Sequence, residues 1–270
     1  MKKVIIKKLL LKLHLLPFFE KINFVFQKIK NKKSNNLFIK ENPSVKIPPD
    51  FYLYETFDLN YKKYYFDSIH TTKWLLDHLK EFKDIDNVSI LDWGCGTGRI
   101  IRHFPSVAGL NNLYFGCDYN KNYINWCSTN LDNIAFKLNR LNPPLDYQNN
   151  SFDIIYGISI FTHLSEDLHY QWMKELTRVL KSNGILFITT HGDSFKNKLG
   201  ENEKKLFDSN NLVVHKYKKE GNRLFASYQP AKFFKTLCKK NNLKVLKHIK
   251  GKVSNNKPQQ DIWIISSKKK

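Results

Sequence analysis

Asp92, Gly94, Gly96 and Gly98 fall within the thirteen residues V-S-I-L-D-W-G-C-G-T-G-R-I (88–100), and Asp118 closes the next apolar run twenty residues after Gly98. Three glycines at alternate positions let the chain turn sharply and approach a ligand closely. A carboxylate two residues before the first of them repels pyrophosphate but can hold an ammonium group, directly or through water. A second acid, at the end of the following strand, can accept both hydroxyls of a ribose. His163 and His191 stand where two later strands are expected to end, so both could face one crevice and take a proton near neutral pH.

The elements that position these residues alternate. Val88–Leu91 reads as a buried parallel strand, followed after the glycine turn by the helix-compatible run Arg99–Arg102, whose N-terminus and loop amides would form a polar cradle. Strands are expected at 112–117, 134–138, 151–159 and 185–190, and helices at 68–82, 121–130 and 166–180. Ser165 is the expected cap of the last of these, whose apolar stripe is Leu168, Trp172, Leu176, Val179 and Leu180. A helix to about Asn241 and strands at 243–250 and 260–265 complete the pattern. Strands alternating with helices predict an α/β fold with a doubly wound sheet.

The glycine spacing departs from the G-x-G-x-x-G of dinucleotide enzymes, whose third glycine comes one residue later. With Asp92, Asp118, F-T-H-L at 161–164 and L-T-R-V-L-K-S-N-G at 176–184, it resembles class I S-adenosylmethionine (SAM)-dependent methyltransferases of the small-molecule type. That resemblance runs from about 86 to 192 and implies a seven-stranded Rossmann-like methyltransferase sheet with SAM as cofactor. It assigns the cofactor to Asp92, Gly94, Cys95, Gly96, Gly98 and Asp118, with Tyr119 beside the adenine, Asn139 and Arg140 at its edge and Gly157 on the fourth strand. The remainder is similar to bacterial methyltransferases linked with glycan assembly.

Of 270 residues, 41% are hydrophobic and 14% aromatic, enough for a substantial core. Cys95, Cys117, Cys127 and Cys238 lack C-x-x-C spacing, so neither structural zinc nor a catalytic metal is expected, and a reduced, cytoplasmic setting is the simpler account. The net charge of +21 sits at the ends: 12 Lys/Arg against 3 Asp/Glu in 1–50, 15 against 16 in 51–200, and 18 against 5 in 201–270. Residues 1–50 read as a basic helical extension with a linker from 31, and 51–270 as the SAM-binding domain with 193–227 as a substrate-side insertion. In residues 1–30 lysines interleave with aliphatic side chains, which suits peripheral contact with an anionic membrane face.

The expected function is transfer of a methyl group to an O or N atom of a small-molecule, sugar or lipid-linked glycan acceptor, with His163 as base and His191 second. The basic ends keep an RNA methyltransferase or a non-catalytic basic scaffold as alternatives, although no RNA-module motif is present.

Overall fold

A computed structural model describes residues 16–267, so Lys2, Lys3, Lys7, Lys8 and Lys12 of the expected membrane segment lie outside the described residues. In chain order come helices α1 (Leu16–Glu41), α2 (Asp50–Thr56) and α3 (Ser68–Lys80), then strand β1 (Ser89–Trp93), α4 (Phe104–Ala108), β2 (Leu113–Asp118), α5 (Lys121–Asn130), β3 (Ala135–Leu138) and β4 (Phe152–Gly157). The second half holds α6 (Glu166–Val179), β5 (Leu180–Thr190), α7 (Glu201–Asp208), β6 (Val213–Lys216), β7 (Phe225–Tyr228), α8 (Ala231–Lys240), β8 (Leu243–Ile249), β9 (Val253–Ser254), β10 (Lys257–Pro258) and β11 (Asp261–Ser267).

Seven strands form one sheet in the order β3-β2-β1-β4-β5-β11-β8, with β11 antiparallel to both of its neighbours and the first five strands parallel. The order reverses beside β1, so the carboxyl ends of β1 and β4 flank the crevice where open α/β sheets bind ligands. Successive residues of a strand feed opposite faces. Leu91, Ile155 and Leu186 pack with α6 and α8 on one side, while Ile90, Ile154 and Phe187 pack with α3 on the other. Both faces are therefore covered, which is why β1 and β4 are mainly apolar instead of alternating.

Ser165 caps α6 through a side-chain bond from the Leu168 amide (3.4 Å), and Leu168, Trp172, Leu176 and Val179 are buried as the stripe predicts. Three expectations change. Residues 31–41, read as linker, continue α1, because Asn31, Asn35 and Phe38 are buried against the segment around Leu59. The helix expected at 99–102 is a 3-10 turn at Ile101–His103 followed by the five-residue α4. Pro105 lacks an N–H and can enter a helix only in its first turn, so a regular helix cannot run through from Gly98. Lys181–Gly184, which follows the helix expected at 166–180, lies within β5 as a bulge, with Asn183 at φ 61° and a register shift against β4.

The insertion at 193–227 is structured. Phe195, Leu199, Phe207, Val213 and Tyr228 give it a small core, and β6 pairs with β7 as an antiparallel ribbon. Among the described residues no helix is long and apolar enough to cross a membrane.

Candidate functional site

A cleft of about 350 Å³ opens at the carboxyl ends of β1, β2 and β4. Asp92, Gly94, Cys95, Gly96, Asp118, Tyr119, Asn139, Arg140 and His163 line it, which brings together most of the residues singled out in the sequence. Gly98, Gly157 and His191 are absent from that lining.

The glycine turn is built differently from a phosphate loop. The Gly94 and Cys95 amides both donate to the Cys117 carbonyl (2.8 and 2.9 Å), the Gly96 amide to Asp118 Oδ2 (2.9 Å), and the Gly98 amide to the Cys95 carbonyl (2.9 Å). These four N–H groups are consumed within the protein and are not available to a ligand. Nor does a helix N-terminus follow the turn. A phosphate site needs converging free N–H groups. Gly94 has φ 77° and a Cβ there would lie 2.2 Å from Ile160 Cδ1; Gly98 has φ 67° and its Cβ would lie 2.6 Å from Leu131 Cδ1. Gly98 thus serves the turn and the packing of α5.

Two carboxyls face the cleft. Asp92 is 4% exposed, and burial raises its pKa to about 7 against the opposing pull of the nearby Tyr156 hydroxyl and Arg99 charge. Asp118 is 8% exposed, with its pKa raised to about 6 by burial, while the Asn120 and Gly96 amides favour its ionised form. The Asn120 amide binds Oδ1 (2.8 Å) and the Gly96 amide Oδ2 (2.9 Å), which fixes the carboxylate and leaves each oxygen a second lone pair.

Asn139 donates from Nδ2 to the Arg140 carbonyl (2.6 Å), and its buried Oδ1 has no hydrogen-bond partner. A buried acceptor without a donor costs free energy unless a ligand supplies one.

His163 stands in a 3-10 turn after β4. Its Nδ1 lies 2.7 Å from the Phe225 carbonyl on β7, so Nδ1 carries the proton and Nε2 the lone pair. Burial pushes its pKa below the ordinary histidine value, which keeps the ring neutral at pH 7.

His191 does not join it. Its ring packs against Phe195 (centroids 4.1 Å apart) and Tyr228, Nδ1 lies 3.1 Å from the Ser227 carbonyl, and the backbone amide donates to Gln229 Oε1. Burial drives its pKa down to about 3. The chain leaving β5 is clamped against β7, so this histidine is packed in the insertion instead of lining the cleft.

Gly157 is likewise a packing residue: a Cβ there would meet Trp93 Cε3 at 2.6 Å and Ile188 Cδ1 at 3.3 Å. Gly157→Ala should overpack this wholly buried site and cost about 1–3 kcal/mol of stability. Chemical denaturation measures the loss, and an unchanged midpoint would show that Trp93 can yield.

The sequence reading missed the far wall. Glu55 and Thr56 from α2, Arg99, Tyr123 and the turn Gly221–Arg223 also line the cleft. Tyr123 donates to Glu55 (2.8 Å), Tyr119 to the Gly221 carbonyl (3.1 Å), and the Gly221 amide to the His163 carbonyl (2.9 Å). Arg99 lies over the Phe57 ring, 4.3 Å from its centroid. Glu55, Thr56 and Gly221–Arg223 come from segments with no spacing signal, whereas Arg99 directly follows the glycine turn and Tyr123 lies in the helix expected at 121–130.

A family model described as a methyltransferase domain matches residues 90–184. A ubiquinone biosynthesis O-methyltransferase of Pelagibacter ubique is 28% identical over 116 residues, which cover 42% of this chain and 46% of that protein, so the match spans about half the relative's length. The fold is similar to a SAM-dependent methyltransferase from Methanosarcina mazei (TM-score 0.56, 18% identity, 71% of this chain and 97% of that one). It is also similar to the PH0226 protein of Pyrococcus horikoshii (TM-score 0.53, 17% identity, 75% and 90%). The matched domain spans the segment from β1 into β5, which carries both cleft acids and His163. Residues 90–184 thus match a methyltransferase domain, set in a fold similar to that of solved S-adenosylmethionine-dependent methyltransferases.

Proposed function

We propose that the cleft holds SAM through Asp92, Asp118 and Asn139, and that the chain moves its methyl group to an O or N atom of a small-molecule, sugar or lipid-linked glycan acceptor. The observation that carries this reading is the pairing of two buried carboxyls with a glycine turn whose Gly94, Cys95, Gly96 and Gly98 amides are already spent. Such a site favours an ammonium and a diol over a phosphate.

Asp92 would take the α-amino group and Arg99 the α-carboxylate, Asp118 the ribose hydroxyls, and the free Asn139 Oδ1 an adenine N–H, with Tyr119 and Arg140 at the rim. Gly94, Cys95 and Gly96 supply close backbone approach. The bound cofactor supplies a methyl group on sulfonium, an already activated leaving group. The protein then has to align the acceptor, exclude water and, for a hydroxyl acceptor, remove one proton. His163 Nε2 offers a lone pair for that proton that the cofactor roles above leave unused, and the Phe225 carbonyl holds the ring in the tautomer that presents it. We read residues 51–270 as the catalytic unit and 193–227 as its acceptor-side insertion, a reading supported by the Gly221–Arg223 turn and the Phe225 contact. The O-methyltransferase relative favours an oxygen acceptor.

The raised pKa values of Asp92 and Asp118 have a sign. In the free protein both acids are held above their unfolded values, so they contribute most stability below about pH 4, and that contribution is lost as pH rises through about 6 to 7. An ammonium at Asp92 offsets this loss. The melting-temperature rise caused by S-adenosylhomocysteine should therefore be larger at pH 7.5 than at pH 5.5. A rise that shrinks with pH would remove Asp92 from the ammonium role. Radiolabel from methyl-labelled SAM should enter lipid or glycan fractions; label confined to RNA would favour the RNA alternative, and binding without any transfer would favour a scaffold.

A further inference from the structure

Helix α1 has apolar side chains on opposed faces. Phe24 and Phe38 turn toward the body with Asn31 and Asn35. Phe18, Phe19, Ile22, Val25, Phe26 and Ile29 turn away and are 45–70% exposed. At 100° per residue those six form one stripe about 120° wide and about 16 Å long. Exposed Lys21 and Lys32 border one edge and Lys30 the other, and the helix holds six lysines against two glutamates. The start of α1 also sits at the mouth of the cleft: Glu20 pairs with Arg223, a cleft residue whose guanidinium lies over Tyr54.

We propose that this stripe seats on an anionic lipid bilayer, with the mouth of the cleft beside the lipid surface. A contiguous apolar patch rimmed by charge marks an interaction site. Lysines at its borders would lie among anionic headgroups while the phenylalanines enter the boundary with the acyl chains. A second copy of the chain would instead set lysine against lysine. The fifteen residues preceding α1 add five lysines and no acid. The proposal rests on the methyltransferase reading only for the consequence that an acceptor embedded in the bilayer could reach the cleft; lipid binding itself needs no cofactor.

Cosedimentation of the full-length protein with phosphatidylcholine vesicles, with and without phosphatidylglycerol, tests it. The protein should pellet with the anionic vesicles. The full-length variant carrying Phe18→Ser, Ile22→Ser and Phe26→Ser should lose about tenfold or more in partitioning. It should keep the S-adenosylhomocysteine thermal shift, since none of the three lines the cleft. Absence of wild-type binding to anionic vesicles, or equal binding by the variant, overturns the proposal. So does light scattering that finds a wild-type dimer turned monomeric by the three serines without any lipid binding. Loss of the thermal shift in wild-type protein would count against the SAM site and leave the vesicle result standing.

Discussion

Asp118→Ala is expected to weaken S-adenosylhomocysteine binding by about 100-fold or more, the largest effect of any single cleft substitution on affinity. Asp118 does two things at once. It accepts the Gly96 and Asn120 amides, and so ties the glycine turn to the end of β2. Its remaining lone pairs face the cleft, where two ribose hydroxyls would each give a charge-assisted bond of about 1.5–3 kcal/mol. Losing both, together with the pin on the turn, corresponds to at least about 3 kcal/mol. Asp118→Asn keeps the size and one carbonyl acceptor but turns a donor toward an amide, so it should fall between. Calorimetry on folded variants reads the effect, and an affinity within threefold of wild type for Asp118→Ala would remove this residue from the site.

His163→Ala is expected to lower kcat by about 10²–10⁴-fold while leaving S-adenosylhomocysteine affinity within twofold. The histidine has two separable jobs. Nδ1 holds the Phe225 carbonyl at 2.7 Å and so helps seat the insertion, while Nε2 is the candidate proton acceptor. His163→Asn can still donate to Phe225 but offers no base, so it should restore stability without restoring kcat. The acid limb of the kcat profile should lie below the ordinary histidine value, because burial disfavours the protonated ring, and it should vanish in both variants. Full activity with an unchanged pH profile in His163→Ala would refute the role of base and leave a packing residue.

The core of this molecule was legible because its signals are local. β1 and β4 are covered on both faces, so their sequences are mainly apolar, and the stripe of α6 repeats at helical spacing with a serine at its cap. Asp92 and Asp118 could be found because each ends such a run. His191 looked like the twin of His163 since both follow a strand, but the contacts that decide between them are long-range. β7 and the residue after it, more than thirty residues on, hold His191, Gln229 taking its amide and the Ser227 carbonyl its ring Nδ1, while the Phe225 carbonyl holds the Nδ1 of His163 and leaves its Nε2 open. Gly157 likewise looked like a cofactor glycine, whereas it makes room for an indole ring from the neighbouring strand. The wall from Glu55, Thr56 and Gly221–Arg223 was invisible, as its members meet only after α2 and the insertion fold over the glycine turn. Residues 1–30 were read as membrane-facing from their lysines and aliphatic side chains, but the stripe at 18–29 was not singled out, because apolar side chains on two opposed faces cancel in any one-sided pattern.

The central claim is that the glycine turn, Asp92 and Asp118 grip an adenosyl compound bearing an ammonium group and no phosphate. Isothermal titration calorimetry of the purified protein at pH 7.5, with S-adenosylhomocysteine and with NAD in parallel, tests it most directly. The account predicts saturable one-to-one heat with S-adenosylhomocysteine, strongly reduced in Asp118→Ala, and no heat with NAD. Heat with NAD alone, or with neither compound, would contradict it.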